Sequence, residues 1–512
     1  MMDVREITIA QAHNGFRTSA FTARDLTAAF LDRIATLDKA GPGINATMAL
    51  STTALAEAEA LDAHFAATSQ FRGPLHGIPV LVKDQADTAG IETNYGSAAT
   101  RGNVPTTDAT VVRTLKAAGA VVLGKTTMAE WAASWFSANG ATDYAPTKNP
   151  YNLAHDVGAS SGGSGAAVAA NFCILAVGED TGGSVRVPSS FCNLVGLRPT
   201  PGLVPRTGFC PLIRTQDTPG PMARTVVDCA HMLDAMAGFD SADEFTGVAA
   251  TAAALGLPRG GSYAAGLEDG DRCADTVRGA RIGVLRQRFG PSSDPHCAAV
   301  NTVVDAALER LRAAGTTLVD VQLSADLDAT LDFAQTYLVR SRSDINAFLA
   351  TKPHLPQDIA TIVPRTPVRP DLDLVSAMAH GPQDPLDDPS LAARLLARDA
   401  LQRQVETLMA TLRLDALALP DVQVPPPRHD DATSGRFDSA AGRPFPTNTF
   451  LASITRLPAV TVPAGFTTAA VDAGLPVGLE LVGLTYTEQH LLTLARGVEV
   501  LVGGRRAPPA PL

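Results

Sequence analysis

Two serine- and glycine-rich stretches that flank an apolar segment constrain this chain most. Residues 158–165 read Gly-Ala-Ser-Ser-Gly-Gly-Ser-Gly, and residues 178–186 read Gly-Glu-Asp-Thr-Gly-Gly-Ser-Val-Arg. Gly/Ser clusters are commonly linkers, but the apolar run between these two places both inside a folded core. Glycine lets a backbone approach a ligand closely and turn its N–H groups toward it. The pattern therefore favours acyl transfer, in which a serine attacks a carbonyl and N–H groups hold the oxyanion.

Short apolar segments alternate with helical patterns on both sides of these stretches. This alternation predicts an α/β fold with a mixed, largely parallel central sheet covered by helices on both faces. We expect a helix to begin at Lys125, after a strand that ends near Leu123. We expect one large domain over 1–512. Its parts would be a helical N-terminal wrap (1–70), an α/β core (71–285 and 415–512) and a variable, mostly helical segment over the site (286–414).

The composition argues against some kinds of binding partner and favours one cellular compartment. The 512 residues are 45% hydrophobic and carry a formal charge of −11, which argues against nucleic acid or an anionic membrane as the main partner. No apolar run approaches the roughly 20 residues that span a bilayer. Six cysteines are scattered without ligand-like spacing, so we expect no metal, no cofactor and a reducing, cytoplasmic setting. A homodimer is left open.

Serine and lysine are better catalytic candidates than histidine. Lys83 follows the apolar segment 77–82 in a chain that has only six lysines, and a buried lysine can be a neutral base near pH 7. The ten histidines form no such pattern. Gly158–Gly162 also matches the G-x-S-x-G elbow of serine–histidine esterases. That alternative would make Ser160 the nucleophile, but the preceding segment reads as a loop and Ser184 is left without a role.

Eight separated motifs resemble the amidase signature family. The resemblance covers about 20–240 and 415–500 and fades between them. The motifs are residues 77–84, 124–126, 149–151, 158–164, 180–188, 196–200, 457–463 and 474–483.

The resemblance implies a Ser–cis-Ser–Lys triad. Carried over position by position, it makes Ser184 the nucleophile, Ser160 the proton-relaying serine after a cis peptide bond, and Lys83 the base. It also implies that N–H groups from Thr181, Gly182 and Gly183 to Ser184 hold the oxyanion. The expected activity is hydrolysis of a small-molecule amide through an acyl-enzyme.

This sequence departs from the family at two positions beside the triad. Ala159 replaces a usual glycine, and Gln85 replaces a common asparagine. By the same resemblance and by position, Ala132 and Ser134 are expected to line the substrate pocket, with Trp131 or Trp135 as an apolar wall. Asp84 is expected to point away from Lys83, since neighbouring strand residues face opposite sides.

Two alternatives remain within the resemblance. Carbamates and esters form the same tetrahedral intermediate as amides, so either could be the substrate. The family also contains glutaminase subunits of tRNA-dependent amidotransferases. In those subunits the nucleophile helix typically has glutamine after Ile-Arg, whereas Val187-Pro188 follows Arg186 here.

Overall fold

The computed structural model describes residues 2–143, 145–363, 373–431, 434, 436–437, 444–468 and 473–509. Two N-terminal helices begin with capping boxes: Thr8 caps the first, and Thr22 together with Asp25 caps the second, as the Thr-Ala-Arg-Asp sequence suggests. Their buried faces pack against the central sheet through residues such as Phe16 and Phe30.

Eleven strands form one mixed sheet, as the sequence predicts, in the order β1-β3-β2-β4-β6-β5-β10-β11-β9-β7-β8. The strands are β1 (Thr47–Leu50), β2 (Pro79–Lys83), β3 (Val121–Thr126), β4 (Leu175–Asp180), β5 (Val195–Arg198), β6 (Thr218–Ala223), β7 (Arg281–Leu285), β8 (Thr317–Val321), β9 (Ala416–Pro420), β10 (Ala459–Phe466) and β11 (Pro476–Val482).

Parallel pairing is less extensive than the sequence suggested. It is confined to β3-β2-β4 and β9-β7-β8, four of the ten pairings described. The strands between these groups pair antiparallel. The C-terminal strands β10 and β11 complete the middle of the sheet, so the two ends of the chain build one core.

Seventeen helices are described around this sheet. They are α1 (Ile9–Arg17), α2 (Ala23–Leu37), α3 (Ala54–Thr68), α4 (Thr110–Ala117), α5 (Gly162–Ala169), α6 (Arg186–Phe191), α7 (Val226–Met236), α8 (Gly247–Ala254), α9 (Gly270–Arg278), α10 (Pro295–Ala314), α11 (Leu327–Ala334), α12 (Tyr337–Leu349), α13 (Ile359–Ile362), α14 (Asp373–Ala379), α15 (Leu391–Leu412), α16 (Phe450–Thr455) and α17 (Glu488–Val502).

Both faces of the sheet are covered. Along β9, Ala416 and Ala418 pack into one apolar cluster, whereas Leu417 and Leu419 pack into another. Because alternate strand residues point to opposite faces, the two clusters lie on opposite sides of the sheet. Among the described helices, none is long and apolar enough to cross a membrane.

The expected helix at Lys125 does not form. Instead β3 continues through Thr126, because Lys125 and Thr126 pair with β2 on one side and β1 on the other. A short 3-10 turn follows at Glu130–Ala132, in which Trp131 and Ala132 have left-handed backbone angles (φ 52° and 60°). Strand pairing here outweighs the helical pattern of the local sequence.

Candidate active site

The two serine-glycine stretches lie at the centre of the molecule. Every residue from 155 to 206 is buried. The first stretch leads into α5, the second follows β4 and leads into α6, and the amide of Ser161 donates to the carbonyl of Ser184 at 3.2 Å. The Ala159–Ser160 peptide bond is cis, as predicted. The fold therefore brings the two loops together inside the core.

Lys83 ends β2 beside these loops and is fully buried. A hydrogen bond of 2.8 Å joins its Nζ to Oγ of Ser160, and a second of 3.2 Å joins Nζ to the carbonyl of Glu179. Ser160 thus has a lysine partner, which is the pairing that the triad requires and the esterase alternative does not.

Burial lowers the pKa of Lys83. The carboxyl groups of Glu179, Asp217 and Asp180 oppose that shift but do not outweigh it. Because an ammonium loses its hydration in this site, the uncharged amine is favoured. The electrostatics therefore suit Lys83 to accept a proton.

Asp84 points away from Lys83, as predicted. Its carboxylate accepts hydrogen bonds from the amides of Asn94 (3.1 Å) and Gly96 (3.2 Å). The cation that acts most strongly on Asp84 is Lys125.

Lys125 is a second fully buried lysine that sequence reasoning did not single out. Its Nζ donates to the hydroxyls of Thr88 (3.1 Å) and Thr93 (3.2 Å) and to the carbonyl of Ala86. In the part of the chain that the structure describes, Lys125 Nζ makes these hydrogen bonds and none to Ser160 or Ser184. Burial alone therefore does not identify the base; contact with Ser160 does.

Ser184 follows the loop that was predicted to hold the oxyanion and is 5% exposed. Among the described residues, no group accepts a hydrogen bond from the amides of Gly182 or Gly183. Gly183 has φ 140°, and a Cβ there would lie 2.0 Å from Oγ1 of Thr449. Thr449 itself donates to the carbonyl of Gly182 at 2.6 Å, which orients this peptide.

A buried network of ion pairs holds the loop that contains Ser184 in place. Arg186 donates to Asp180 (3.0 and 3.1 Å) and to Glu480 (2.5 Å), and Arg198 also donates to Asp180 (2.9 Å). Burial would raise the pKa of Asp180, but Arg186 and Arg198 outweigh it and hold that pKa below its usual value. Asp180 also accepts from the amide of Val185, so the network anchors both ends of the loop.

Aromatic side chains form a wall beside the oxyanion loop. A Cβ placed on Gly182 would lie 2.3 Å from the Tyr337 hydroxyl, 2.9 Å from the Phe450 ring and 3.4 Å from the Trp135 ring. Trp135 also meets Phe450 edge to face, with ring centroids 5.3 Å apart. Tyr337 lies on α12, within the segment predicted to cover the site.

Ala132 and Ser134, the two residues expected to line the substrate pocket, both make contacts with other parts of the protein. Ala132 is buried in an apolar cluster with Trp131 and Tyr337, and the hydroxyl of Ser134 accepts a hydrogen bond from the amide of Phe136 at 3.0 Å. The half-buried Trp135 is the tryptophan that faces the loop, whereas Trp131 is core.

Sequence reasoning missed three polar residues around Lys83 and Ser184. Asp217 and Thr449 approach the site only in the fold, whereas Glu179 belongs to the second serine-glycine stretch and contacts Lys83. The sequence did contain a signal for Glu179, because an acidic residue there follows an apolar segment and precedes the motif at 180–188. It contained no such signal for Asp217 or Thr449. Among the described residues, no cluster of histidine, cysteine and acidic side chains could hold a metal ion.

Comparison with known proteins identifies the family. The amidase family profile matches residues 25–492. Two curated relatives are glutamyl-tRNA(Gln) amidotransferase subunits A. One, from Pseudomonas savastanoi pv. phaseolicola, is 34% identical over 505 residues, which is 96% of each chain. The other, from Moorella thermoacetica, is 33% identical over 519 residues, which is 97% of each chain.

Solved structures of amidases also resemble this chain along almost its whole length. The native peptide amidase of Stenotrophomonas maltophilia superposes with a TM-score of 0.83 and 32% identity, over 99% of each chain. An amidase family protein from Bacillus anthracis has a TM-score of 0.81 and 26% identity, over 99% of this chain and 93% of that one. The chain belongs to the amidase signature family.

Proposed function

We propose that this protein hydrolyses a small-molecule carboxamide through an acyl-enzyme on Ser184. The observation that carries the proposal is the 2.8 Å contact between Lys83 and Ser160 in a fully buried site, beside the loop that presents Ser184. The neutral amine of Lys83 takes a proton from Ser160, which takes the proton of Ser184 as Ser184 attacks the carbonyl.

The loop from Thr181 to Gly183 supplies the oxyanion donors in this proposal. Free backbone amides beside Ser184 suit a negatively charged oxygen, because fixed donors need no reorganisation when charge develops. The relay then runs in reverse and protonates the leaving nitrogen, and water cleaves the acyl-enzyme. The residues bound to Asp180 keep the loop in place throughout.

The substrate pocket is proposed to lie against Trp135, Tyr337 and Phe450, with Ala132 and Ser134 in the adjoining turn. Three aromatic rings beside Gly182 favour a substrate with an apolar group near its carbonyl. All six cysteines are free thiols, which suits a cytoplasmic enzyme.

Two other activities fit the same residues. Esters and carbamates need the same nucleophile and oxyanion donors. The curated relatives favour a glutaminase subunit of an amidotransferase, an assembly that would require partner subunits. Val187 and Pro188 after Arg186 argue for the free-standing amidase.

Turnover of matched substrates tests the proposal. An aryl amide, a C-terminal peptide amide, an aryl carbamate, the corresponding ester and free glutamine would be assayed with the isolated chain. We expect amide cleavage that is lost in Ser184→Ala. Hydrolysis of glutamine alone, or activity only with co-purified subunits, would instead support the amidotransferase subunit. Cleavage of the carbamate or ester with no amide cleavage would support those substrates.

A further inference from the structure

Glu179 is a buried carboxyl group on the far side of the predicted base. Its side chain is 1% exposed, and Oε2 lies 3.4 Å from Nζ of Lys83. Lys83 therefore has Ser160 on one side and a carboxyl group on the other. A base held between the group it deprotonates and an acid has the arrangement by which serine–histidine enzymes orient their imidazole.

The position of this carboxyl group is fixed by its neighbours. The hydroxyl of Thr181 lies 3.2 Å from Oε1 of Glu179 and 2.6 Å from Oδ1 of Asp217. The backbone carbonyl of Glu179 accepts from Lys83 and from the hydroxyl of Ser161 at 3.2 Å. Both ends of the residue thus contact the relay or the loop before Ser184.

The charged neighbours of Glu179 have other partners. Asp180 is held by two arginines, as described above. Burial raises the pKa of Asp217, and Glu179 raises it further, while the Thr181 hydroxyl and the Ile213 amide oppose the shift. Lys83 is the cation that acts most strongly on Glu179, with burial opposing the charged form of both.

Three further titratable side chains interact with Glu179, namely a cation and two uncharged groups. Arg198 is engaged by Asp180, and burial raises the pKa values of Cys210 and Tyr337, so these two stay neutral. Across the adjoining cavity, Arg206 pairs with Asp243.

A cavity connects this carboxyl group with the surface. It has a volume of about 210 Å³, and Glu179, Asp217, Phe348 and Arg214 are among the residues that line it. The Arg214 side chain is 48% exposed, so the cavity reaches solvent. Asp344, also on the wall, accepts from the Arg214 amide and from the Arg340 side chain. Water in the cavity can therefore equilibrate the Lys83–Glu179 pair with the bulk pH.

We propose that Glu179 is a positioning residue of the proton relay, which holds Nζ of Lys83 against Ser160 and stabilises the ammonium that forms when Ser184 attacks. This inference rests on the proposed function, because it assumes that Lys83 is the base.

The proton steps balance. As the bond from Oγ of Ser184 to the carbonyl carbon forms, the π electrons of the carbonyl move to its oxygen, the Ser184 proton passes to Ser160 and the Ser160 proton passes to Lys83. The ammonium and the Glu179 carboxylate then form a neutral pair. When the intermediate collapses, the C=O bond re-forms and the C–N bond breaks, while the ammonium returns its proton through Ser160 to the leaving nitrogen and the amine is restored.

Because of the Glu179 carboxylate, the Lys83 amine becomes neutral only at a higher pH. Glu179 acts on Lys83 in the direction that raises the pKa of the amine, against the lowering by burial. Replacing Glu179 with glutamine removes the charge and keeps the shape. The amine should then become neutral at a lower pH, but the ammonium formed during catalysis should lose its stabilising partner.

The test is the pH profile of kcat and kcat/KM for Glu179→Gln beside the wild type. We expect the acid limb to move about one pH unit or more to lower pH. We expect kcat on the plateau to fall about 10- to 100-fold, with little change in KM, since a charged hydrogen bond is lost only after attack.

Glu488→Gln is the matched control. Glu488 is also buried and accepts from the amide of Thr200 at 2.8 Å, on another part of the fold. Its replacement tests the effect of removing a buried carboxylate as such, and it should leave the acid limb where the wild type has it.

An acid limb that stays in place or moves to higher pH in Glu179→Gln would overturn the proposal, as would an equal shift in Glu488→Gln. If Glu179→Gln does not fold, Glu179→Asp replaces it. Its carboxylate is withdrawn from Nζ, so the limb should move in the same direction by a smaller amount, and an unmoved limb again contradicts the proposal. Failure of the proposed function looks different, because the wild type itself would then show no turnover that depends on Ser184.

Discussion

Replacing each of the two buried lysines with methionine separates catalysis from stability. Both side chains are fully buried, and methionine has a similar length without the amine. Lys83 contacts Ser160 and Glu179, whereas Lys125 contacts Ala86, Thr88 and Thr93 and faces Asp84. Lys83→Met should therefore lose activity and keep its stability, whereas Lys125→Met should lose stability and keep its activity per folded molecule.

In Lys83→Met we expect kcat to fall by about 10²- to 10⁴-fold, the usual contribution of a general base. The free energy of unfolding should change by less than about 2 kcal/mol, because burial raises the pKa of Glu179 and Lys83 opposes that shift; without Lys83 the carboxyl group takes up a proton and then needs no cation. In Lys125→Met, Asp84 loses its cation, and the amine's three oxygen partners lose their donor. Each buried acceptor left without a donor costs about 1–3 kcal/mol, so this variant should be much less stable.

The assay measures amide turnover per mole of active site, with active sites counted by covalent labelling of Ser184, and thermal unfolding of the same samples. Counting sites corrects for the unfolded fraction of Lys125→Met, whose kcat per site should stay near the wild-type value. A Lys83→Met variant with wild-type kcat, or a Lys125→Met variant with the larger loss of kcat per site, would refute the reasoning.

Three further predictions concern the same site. Activity should rise with pH through an ionisation well below the ordinary pKa of 10.5 for lysine, because the base must be neutral and burial lowers the pKa of Lys83; a pH–rate profile measures this, and Lys83→Arg should be nearly inactive at every pH. Gly183→Ala should lose most activity, because its Cβ would lie 2.0 Å from Thr449 in a backbone conformation that alanine rarely adopts; steady-state kinetics together with circular dichroism would show whether the fold survives. Trp135→Ala should lower kcat/KM more for aryl than for small aliphatic amides, since the ring beside Gly182 would be missing; an equal loss for both would remove Trp135 from the pocket.

Local sequence predicted the elements that carry the site. The apolar run before Lys83 is β2, and β9, β10, β11 and α17 lie within the 415–512 part of the expected α/β core. These elements have strong local signals, namely short apolar runs or helical periodicity between turn residues. The triad positions followed from motif resemblance, and the fold then brought Lys83 and Ser160 into contact.

Strand pairing and the polar surroundings of the site could not be read locally. The antiparallel middle of the sheet depends on β10 and β11 joining β5 and β9 from far along the chain. The Lys125 segment has a helical pattern, but pairing with both neighbours keeps it a strand. Asp217 and Thr449 contact the active-site loop although they lie far from it in the sequence, so no local pattern predicts them.

The identity of the nucleophile is the central claim, and mass spectrometry of the covalently labelled protein tests it most directly. The wild type would be treated with a fluorophosphonate, digested and mapped, beside Ser160→Ala and Ser184→Ala. We predict an adduct on Ser184 in the wild type, slower labelling of the same residue in Ser160→Ala, and no labelling of the site in Ser184→Ala. An adduct on Ser160 with Ser184 unmodified would contradict the account.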